Sequence, residues 1–329
     1  MKTFLKVVGG IVLVLVALIA GGLSWLSLHK PAQRPASTEK IAATPERLAR
    51  GAYLVEHVAD CLGCHSDHTL AYGMPVKLGT EGEGGYIFDK KIGFPGVVAA
   101  QNITSDPETG LGKWTDGEVL RAMREGIDRN GNALFPMMPY EHLARMSDED
   151  AKSIVVYLRT LKPIRKAVPD KKLDFPVNYI VKFIPKPLSG PVQAPDRKNS
   201  VGYGEYMATI GGCYECHTPH DDHNKLDANR PFAGGWKMEG PWGRVVTANL
   251  TPSTDGFMKS ATKTEFISRF KAFASLDPAT APEVPKGQNT VMPWMAFSKM
   301  TDEDLGAIYD YLKTVKGIEN HIVTFPDKK

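Results

Sequence analysis

The stretches that decide how this chain folds are Cys61-Leu-Gly-Cys-His65 and Cys213-Tyr-Glu-Cys-His217. They contain all four cysteines of the 329-residue chain, and each ends in one of only 9 histidines. Two thiols at this spacing on one helical turn can add to the two vinyl groups of a porphyrin, and the adjacent histidine can bind its iron. The motifs therefore predict two covalently bound haem c groups, one held by Cys61, Cys64 and His65, the other by Cys213, Cys216 and His217.

Three other uses of paired cysteines compete with haem attachment. A disulfide within either motif closes too short a loop to stabilise the chain much. A zinc site made of four thiolates must join motifs 149 residues apart and leaves both histidines unexplained. A thioredoxin-like redox pair belongs in a βαβ setting, for which the sequence has no pattern. Haem attachment is the reading we favour.

The two halves of the chain also repeat outside these motifs. Asn102-Ile-Thr matches Asn249-Leu-Thr at an offset of 147, and Met138-Pro-Tyr matches Met292-Pro-Trp at an offset of 154. The distance from the motif histidine to this methionine is 73 residues in the first half and 75 in the second. A haem iron that only carries electrons needs a second axial ligand, for which a thioether is suitable. We therefore expect Met138 and Met292 to be the distal ligands.

Nearby methionines compete for that role, because the chain has 12 methionines and most methionines fill hydrophobic cores. Met137 pairs with Val291 in the repeat and Met295 pairs with Glu141, so neither position recurs. Met300 recurs but directly precedes a helix cap. The repeat thus favours Met138 and Met292.

Helical spacing dominates both halves. Thr44-Pro45 opens a helix that runs toward the first cysteine motif, and capping boxes at Thr115 and Thr262 open middle helices. Closing helices follow Ser147 and Thr301. Because no strand alternation persists, we expect an all-α protein with two tandem cytochrome c domains, residues 41–162 and 201–320, joined by a Pro-rich connector, residues 163–200.

The first thirty residues predict a membrane anchor. From residue 7 to residue 28 the chain has 22 residues without a charge, enough for a helix to cross the hydrocarbon of a bilayer. Lys2 and Lys6 precede this run, which indicates that the body is exported. A cleaved signal peptide ending near Ala20-Gly21-Gly22 is the alternative. Residues 31–40, PAQRPASTEK, then predict a tether that lets the body stand away from the bilayer.

The connector contains an apolar stretch, Phe175-PVNYIVKFIP. It is too apolar for a free linker. It could pack on a domain, on a partner or on the face of the membrane, and the sequence leaves these alternatives open.

The sequence resembles the membrane-anchored multihaem cytochrome c subunits of periplasmic alcohol, gluconate, sorbitol and aldehyde dehydrogenases. The resemblance covers nearly all of residues 41–320. It rests on the motifs RGAYLVEHVADCLGCH, NITSDPETGLGKW, REGIDRNGNALFPMMPY and LDFPVN, and on CHTP with FAGG in the second half. It implies the distal role for the methionines of the MPY and MPW motifs, and it implies that the Asn-Ile-Thr and Asn-Leu-Thr loops lie near the haem propionates. Many members have three haems, whereas this chain has two motifs, and Trp114 has no aromatic counterpart in the second half.

The function we expect is that of a dihaem electron carrier and not of an enzyme. It would pass single electrons from a quinol or a dehydrogenase subunit toward a terminal acceptor, from the periplasmic side of the inner membrane, to which one helix holds it. The alternatives are a dihaem enzyme of the peroxidase or thiosulfate dehydrogenase type, and a cytochrome c subunit of a terminal oxidase. Outside the first thirty residues the chain carries 37 charges of each sign, so it lacks the basic surface of a nucleic-acid binder.

Overall fold

The computed structural model describes residues 1–221, 225–240 and 242–328. Helix α1, Lys2–Leu28, has no buried residue and contacts the rest of the chain through its last turn. It is long and apolar enough to cross a membrane, a test that signal sequences also pass. The helices of the body are α2 Pro45–Tyr53, α3 Cys61–His65, α4 Asp116–Glu125, α5 Tyr140–Leu143, α6 Asp148–Leu158, α7 Val177–Ile180, α8 Ser200–Ile210, α9 Cys213–His217, α10 Lys263–Lys271, α11 Trp294–Phe297 and α12 Asp302–Thr314.

The helix starts follow the capping signals in the sequence. Thr115 and Thr262 each accept a hydrogen bond from the backbone N–H three residues later, while Glu118 and Glu265 accept from the threonine N–H groups. These reciprocal bonds satisfy amides that a helix start otherwise leaves unpaired. Helix α2 begins at Pro45, as predicted, and continues as a π-helical turn, Leu54–Val58.

Glycine allows the first and last helices of each half to cross at backbone contact. A Cβ added to Gly51 on α2 would lie 2.0 Å from the carbonyl oxygen of Ser153 on α6. A Cβ added to Gly204 on α8 would lie 1.9 Å from that of Ala307 on α12. The two crossings are equivalent in the repeat, so both halves are built on the same close pair of helices.

The structure also contains short strands, which the sequence pattern does not predict. Strands β1 Ile87–Phe88, β2 Gly96–Ala99 and β3 Lys172–Leu173 form one antiparallel sheet. Strands β4 Lys237–Gly240 and β5 Gly243–Val246 form a second one. With two to four residues each, they are too short for an alternating pattern to stand out. Because β3 belongs to the connector, the sheet ties the connector to the first half.

One hydrophobic core runs through both halves, with buried side chains from α2, α6, α8 and α12 in a single cluster. Hydrogen bonds across the halves supplement it. Tyr206 of α8 donates a hydrogen bond to Asp150 Oδ2 at 2.6 Å and accepts one from the N–H of Ser147 at 3.1 Å. A tyrosine of the second half therefore binds the start of α6 in the first.

A reciprocal set of bonds runs the other way. Tyr53 of α2 donates to Asp304 Oδ2 at 2.7 Å and accepts from the N–H of Thr301 at 3.1 Å, at the start of α12. The two tyrosines thus occupy equivalent positions, and each bonds the partner half. We call these contacts the reciprocal tyrosine bonds.

Residues 31–40 are packed on the body, which corrects the prediction of a free tether. Arg34 pairs with the buried carboxylate of Glu125 at 2.8 Å, and Gln33 donates to the carbonyl of Gly131 at 3.2 Å. The backbone N–H of Ile41 donates to Asp116 at 3.0 Å. This segment therefore lies along α4 and fixes the position at which the chain leaves α1.

Candidate haem sites

Both cysteine motifs fold as a single helical turn that follows a sharp reversal of the chain. Asp60, before α3, has φ 44°, and Gly212, before α9, has φ 68°. This left-handed conformation is easy for glycine and tolerated by aspartate. It places a short motif helix directly beside the end of the preceding helix in each half. The sequence alone does not predict this left-handed conformation at Asp60.

The motif histidines are held in the orientation that a metal ligand requires. Nδ1 of His65 lies 2.6 Å from the carbonyl oxygen of Gln101, and Nδ1 of His217 lies 2.8 Å from that of Ala248. A carbonyl only accepts, so Nδ1 carries the proton and Nε2 keeps its lone pair. Neither Nε2 has a hydrogen-bond partner among the described residues. Burial lowers the pKa of both histidines, against an opposing effect of these hydrogen bonds, so both rings stay neutral.

A buried asparagine beside each of these carbonyls fixes the loop that carries it. Asn102 accepts from the N–H and hydroxyl of Thr104 at 2.9 and 2.7 Å, and it donates to Thr109 Oγ1 at 3.0 Å and the carbonyl of Ile164 at 2.7 Å. All of its hydrogen-bonding groups are therefore used within the protein.

Asn249 makes the equivalent bonds in the second half. It accepts from Thr251 at 2.9 and 2.7 Å and donates to Ser253 Oγ at 3.0 Å and the carbonyl of Ile318 at 2.9 Å. The resemblance implied that these loops lie near the haem propionates. That location stays a prediction; the structure shows that the two asparagines tie the carbonyl that orients each histidine to the chain that follows the closing helix.

The four cysteines are free thiols. Cys64 and Cys216 are exposed, yet burial among nearby protein atoms raises the pKa of each thiol to about 12. Each residue thus reaches solvent while its sulfur lies among many protein atoms. A Cβ added to Gly211, two residues before Cys213, would lie 3.4 Å from the carbonyl oxygen of Val58, three residues before Cys61. The fold brings the two motifs together although they are far apart in sequence.

The predicted distal ligands occupy equivalent places in the two halves. Met138 and Met292 each precede a proline and a four-residue helix, α5 or α11, and both are half-buried against the hydrophobic core. The competing methionines differ from them: Met137 is exposed, whereas Met295 and Met300 are buried. Only the two predicted methionines combine core contact with partial exposure at a repeated position.

These features fit covalent haem c. In each half the structure supplies two free thiols on one helical turn, an oriented neutral imidazole, and a half-buried thioether at a repeated position. Among the residues that the structure describes, no three His, Cys, Asp or Glu side chains form a group able to hold a metal ion without such a cofactor. The class that fold and site define is therefore a c-type cytochrome.

Comparison with known proteins places the chain in a family. No family model matches it. It is 30% identical over 233 residues to a diheme cytochrome c-type protein of Cereibacter sphaeroides, a match that covers 68% of this chain and 73% of the relative. The chain therefore belongs to this family of cytochromes c, which are haem proteins of electron transport.

Cytochrome c subunits of dehydrogenase complexes are further relatives. The chain is 30% identical over 296 residues to the cytochrome c subunit of the quinone-dependent alcohol dehydrogenase of Gluconacetobacter polyoxogenes, covering 84% of this chain and 58% of that one. It is 30% identical over 325 residues to the gluconate 2-dehydrogenase cytochrome c subunit of Pantoea cypripedii, covering 92% and 64%. The chain thus spans little more than half the length of the alcohol dehydrogenase subunits it matches. The resemblance seen in the sequence is confirmed.

Proposed function

We propose that this protein is a membrane-anchored dihaem cytochrome c that passes single electrons between a quinol or a dehydrogenase subunit and a terminal acceptor. One observation carries the proposal: the same histidine geometry, with Nδ1 bonded to a backbone carbonyl at 2.6 and 2.8 Å, occurs once in each half. Because both motif histidines are oriented in the same way, each half offers one iron ligand, which supports two haems. The names of the dehydrogenase relatives support a partner of that class.

Each residue has a definite task in this proposal. Cys61 and Cys64, and their counterparts Cys213 and Cys216, would hold the cofactor through thioether bonds. His65 and His217 would bind the iron through Nε2, while the carbonyl at Nδ1 holds the ring and increases its basicity. Met138 and Met292 would supply the second ligands, and thioether ligation would raise the reduction potential. The bound haem supplies reversible one-electron chemistry of its iron.

An electron carrier fits this arrangement better than an enzyme does. Small molecules need an open position on one iron, whereas methionines stand at the same place in both halves. The chain segments that lead into the two motifs are in contact, at Gly211 and the carbonyl of Val58, and this contact supports transfer of an electron from one haem to the other. The core shared by the two halves would keep that separation constant.

Anchoring by α1 completes the proposal. The helix has 27 residues, and the lysines at its start favour retention of that end in the cytoplasm. The haem domains would then lie on the periplasmic side of the inner membrane, held by this single span. Haem c attachment outside the cytoplasm agrees with that orientation.

Two measurements on the purified protein test the haem count. The intact mass of the denatured, extracted protein should exceed the mass of the polypeptide by two haem groups. The Cys213→Ala/Cys216→Ala variant should lose one haem and keep the other. A mass equal to that of the bare polypeptide would refute the haem proposal, and zinc bound in place of iron would support the thiolate alternative.

Ligand variants test the axial methionines. Met138→Ala and Met292→Ala should each remove about half of the methionine-to-ferric-iron absorption and create one site for carbon monoxide. Met137→Ala and Met295→Ala are the matched controls and should leave the absorption intact. If the wild-type protein binds carbon monoxide at one haem, one iron is open and the enzyme alternative replaces the carrier.

A further inference from the structure

The apolar part of the connector lies on the surface of the body. Phe175, Ile180 and Phe183 are 72%, 53% and 49% exposed, whereas Val181 between them is buried. We call these three exposed side chains the connector patch. Of the alternatives that the sequence leaves open, packing on the body therefore applies to Val181, whereas the three side chains of the patch face outward.

The connector patch adjoins the end of α1. The ring of Phe183 stacks on His29 with centroids 4.5 Å apart and lies 6.2 Å from the ring of Trp25. Lys182 donates to the carbonyls of Leu26 and Ser27, both at 2.9 Å. A cation that bonds the free carbonyls at a helix end is a stabilising cap.

The position of the patch relative to α1 is fixed from both sides. Segment 31–40 is held on α4 through Arg34 and Glu125, so α1 leaves the body at one place. The connector is held by pairing of β3 with β2 and by the ion pair of Lys90 with Asp174 at 2.8 Å. The patch and the last turn of α1 therefore form one continuous apolar surface.

Length places this surface at the membrane boundary. A helix of 27 residues is about 40 Å long, whereas the hydrocarbon of a bilayer is about 30 Å thick. The last turns of α1 then lie among the lipid headgroups, a depth that suits the exposed ring of Trp25. Phe183 contacts these turns directly. The ring of Phe175 lies 6.2 Å from that of Tyr179, whose hydroxyl is 3.3 Å from Ser27 Oγ, so the patch lies at the same depth. Exposed Lys30 and Lys186, close in sequence to the two elements, can face anionic headgroups.

We propose that the connector patch is a second membrane contact, in which Phe175, Ile180 and Phe183 enter the headgroup region of the same leaflet that α1 leaves. The inference rests on the proposed anchoring of α1. A short helix with one apolar face in the interface is a known way for proteins to lie on a membrane. Two membrane contacts instead of one limit the tilting of α1 and the body relative to the bilayer. One fixed face of the cytochrome then lies along the membrane.

The test uses the full-length holoprotein in vesicles of phosphatidylcholine and phosphatidylglycerol at 3:1. Its native cysteines are consumed by haem, so a single added cysteine is the one thiol that a membrane-impermeant maleimide can modify. The test positions are Phe175→Cys and Ile180→Cys. Leu78→Cys is the matched control, because Leu78 is 64% exposed on the body. Leu15→Cys, in the middle of α1, reports the anchor.

We expect modification at 175 and 180 to be at least tenfold slower than at 78, and modification at 15 to be slower still. Fast modification at 175 and 180 with slow modification at 15 would overturn the inference and leave the anchor intact, with the patch free for a protein partner. Fast modification at all four positions would overturn both the anchor and the inference. The haem proposal is judged separately by intact mass.

Discussion

The reciprocal tyrosine bonds predict a measurable stability difference between two conservative variants. Tyr53→Phe and Tyr206→Phe each delete one hydroxyl and leave the ring in place, so no cavity forms. Each hydroxyl donates to a carboxylate, and such charge-assisted bonds contribute about 1.5–3 kcal/mol. The backbone N–H that each hydroxyl accepts from also loses its partner. Each variant should therefore lower the free energy of unfolding by about 2 kcal/mol.

The surroundings of the two carboxylates predict which variant costs more. Asp150 keeps two bonds from Arg50, each 2.8 Å, when Tyr206 is changed. Asp304 is fully buried and keeps only one bond from the half-exposed Arg197, at 3.1 Å, when Tyr53 is changed. A buried carboxylate with fewer remaining donors is the more costly one. Tyr53→Phe should thus be more destabilising than Tyr206→Phe by about 1 kcal/mol.

Thermal unfolding, followed by the loss of helical circular dichroism, measures this difference. For a body of about 300 residues with one core, about 2 kcal/mol corresponds to a midpoint shift of roughly 3 °C. Tyr72→Phe is the control, because its ring stacks on Phe273 across the halves while its hydroxyl has no hydrogen bond among the described residues. That variant should shift the midpoint by no more than about 1 °C. Equal, small shifts for all three variants would refute the reasoning.

Three further predictions follow from the same contacts. Asn289→Ala should destabilise the protein by about 2–3 kcal/mol, because the Asn289 amide bonds the N–H of Gly73 and two carbonyls of the other half. Chemical unfolding measures this loss of stability, and Asn229→Ala, on an exposed turn, is the control. Gly204→Ala should cost at least about 3 kcal/mol through its contact with α12, whereas Gly190→Ala, with free space around it, should be neutral in the same assay. Burial and the neighbouring carboxylates raise the pKa of Tyr53 and Tyr206, so their contribution to stability is complete below pH 10, the unfolded value, and is lost as pH rises through the folded value. The Tyr53→Phe/Tyr206→Phe variant should therefore lose stability less steeply than the wild type above pH 10, and a parallel decline of the two proteins would contradict the assignment.

Local rules explain what the sequence could predict. The cysteine motifs, the proline at the start of α2 and the capping boxes at Thr115 and Thr262 each depend on residues within four positions, and all form the predicted elements. The repeat likewise places Met138 and Met292 at equivalent positions. Their role as iron ligands and the boundaries of the two domains stay predictions.

Long-range contacts explain what the sequence could not predict. The pairing of Arg34 with Glu125 spans 91 residues, and the bond of Tyr53 to Asp304 spans 251. Neither contact has a signature in spacing or composition, because the two partners become neighbours only in the folded protein. The same holds for Asn102, whose amide bonds the carbonyl of Ile164, 62 residues further along the chain.

The two predicted haem sites are equivalent in the repeat but differ in what holds their methionines. Three residues before Met138 stands Phe135, whose ring packs edge-on against Phe94 of the same half at 4.7 Å. The equivalent position before Met292 is Asn289, which is 2% exposed and bonds the loop that follows the first motif. An apolar contact within one half therefore supports the first methionine. The second is supported by the hydrogen bonds of Asn289 across the halves, which we call the polar clasp. Hydrogen bonds and burial near an iron tune its reduction potential, so the two haems should have different potentials. The variant Asn289→Ala should change the potential of the second haem and leave that of the first nearly unchanged. Redox titration of the variant followed at both haems measures this, and equal shifts at both would show that the clasp acts on the whole body and not on one methionine.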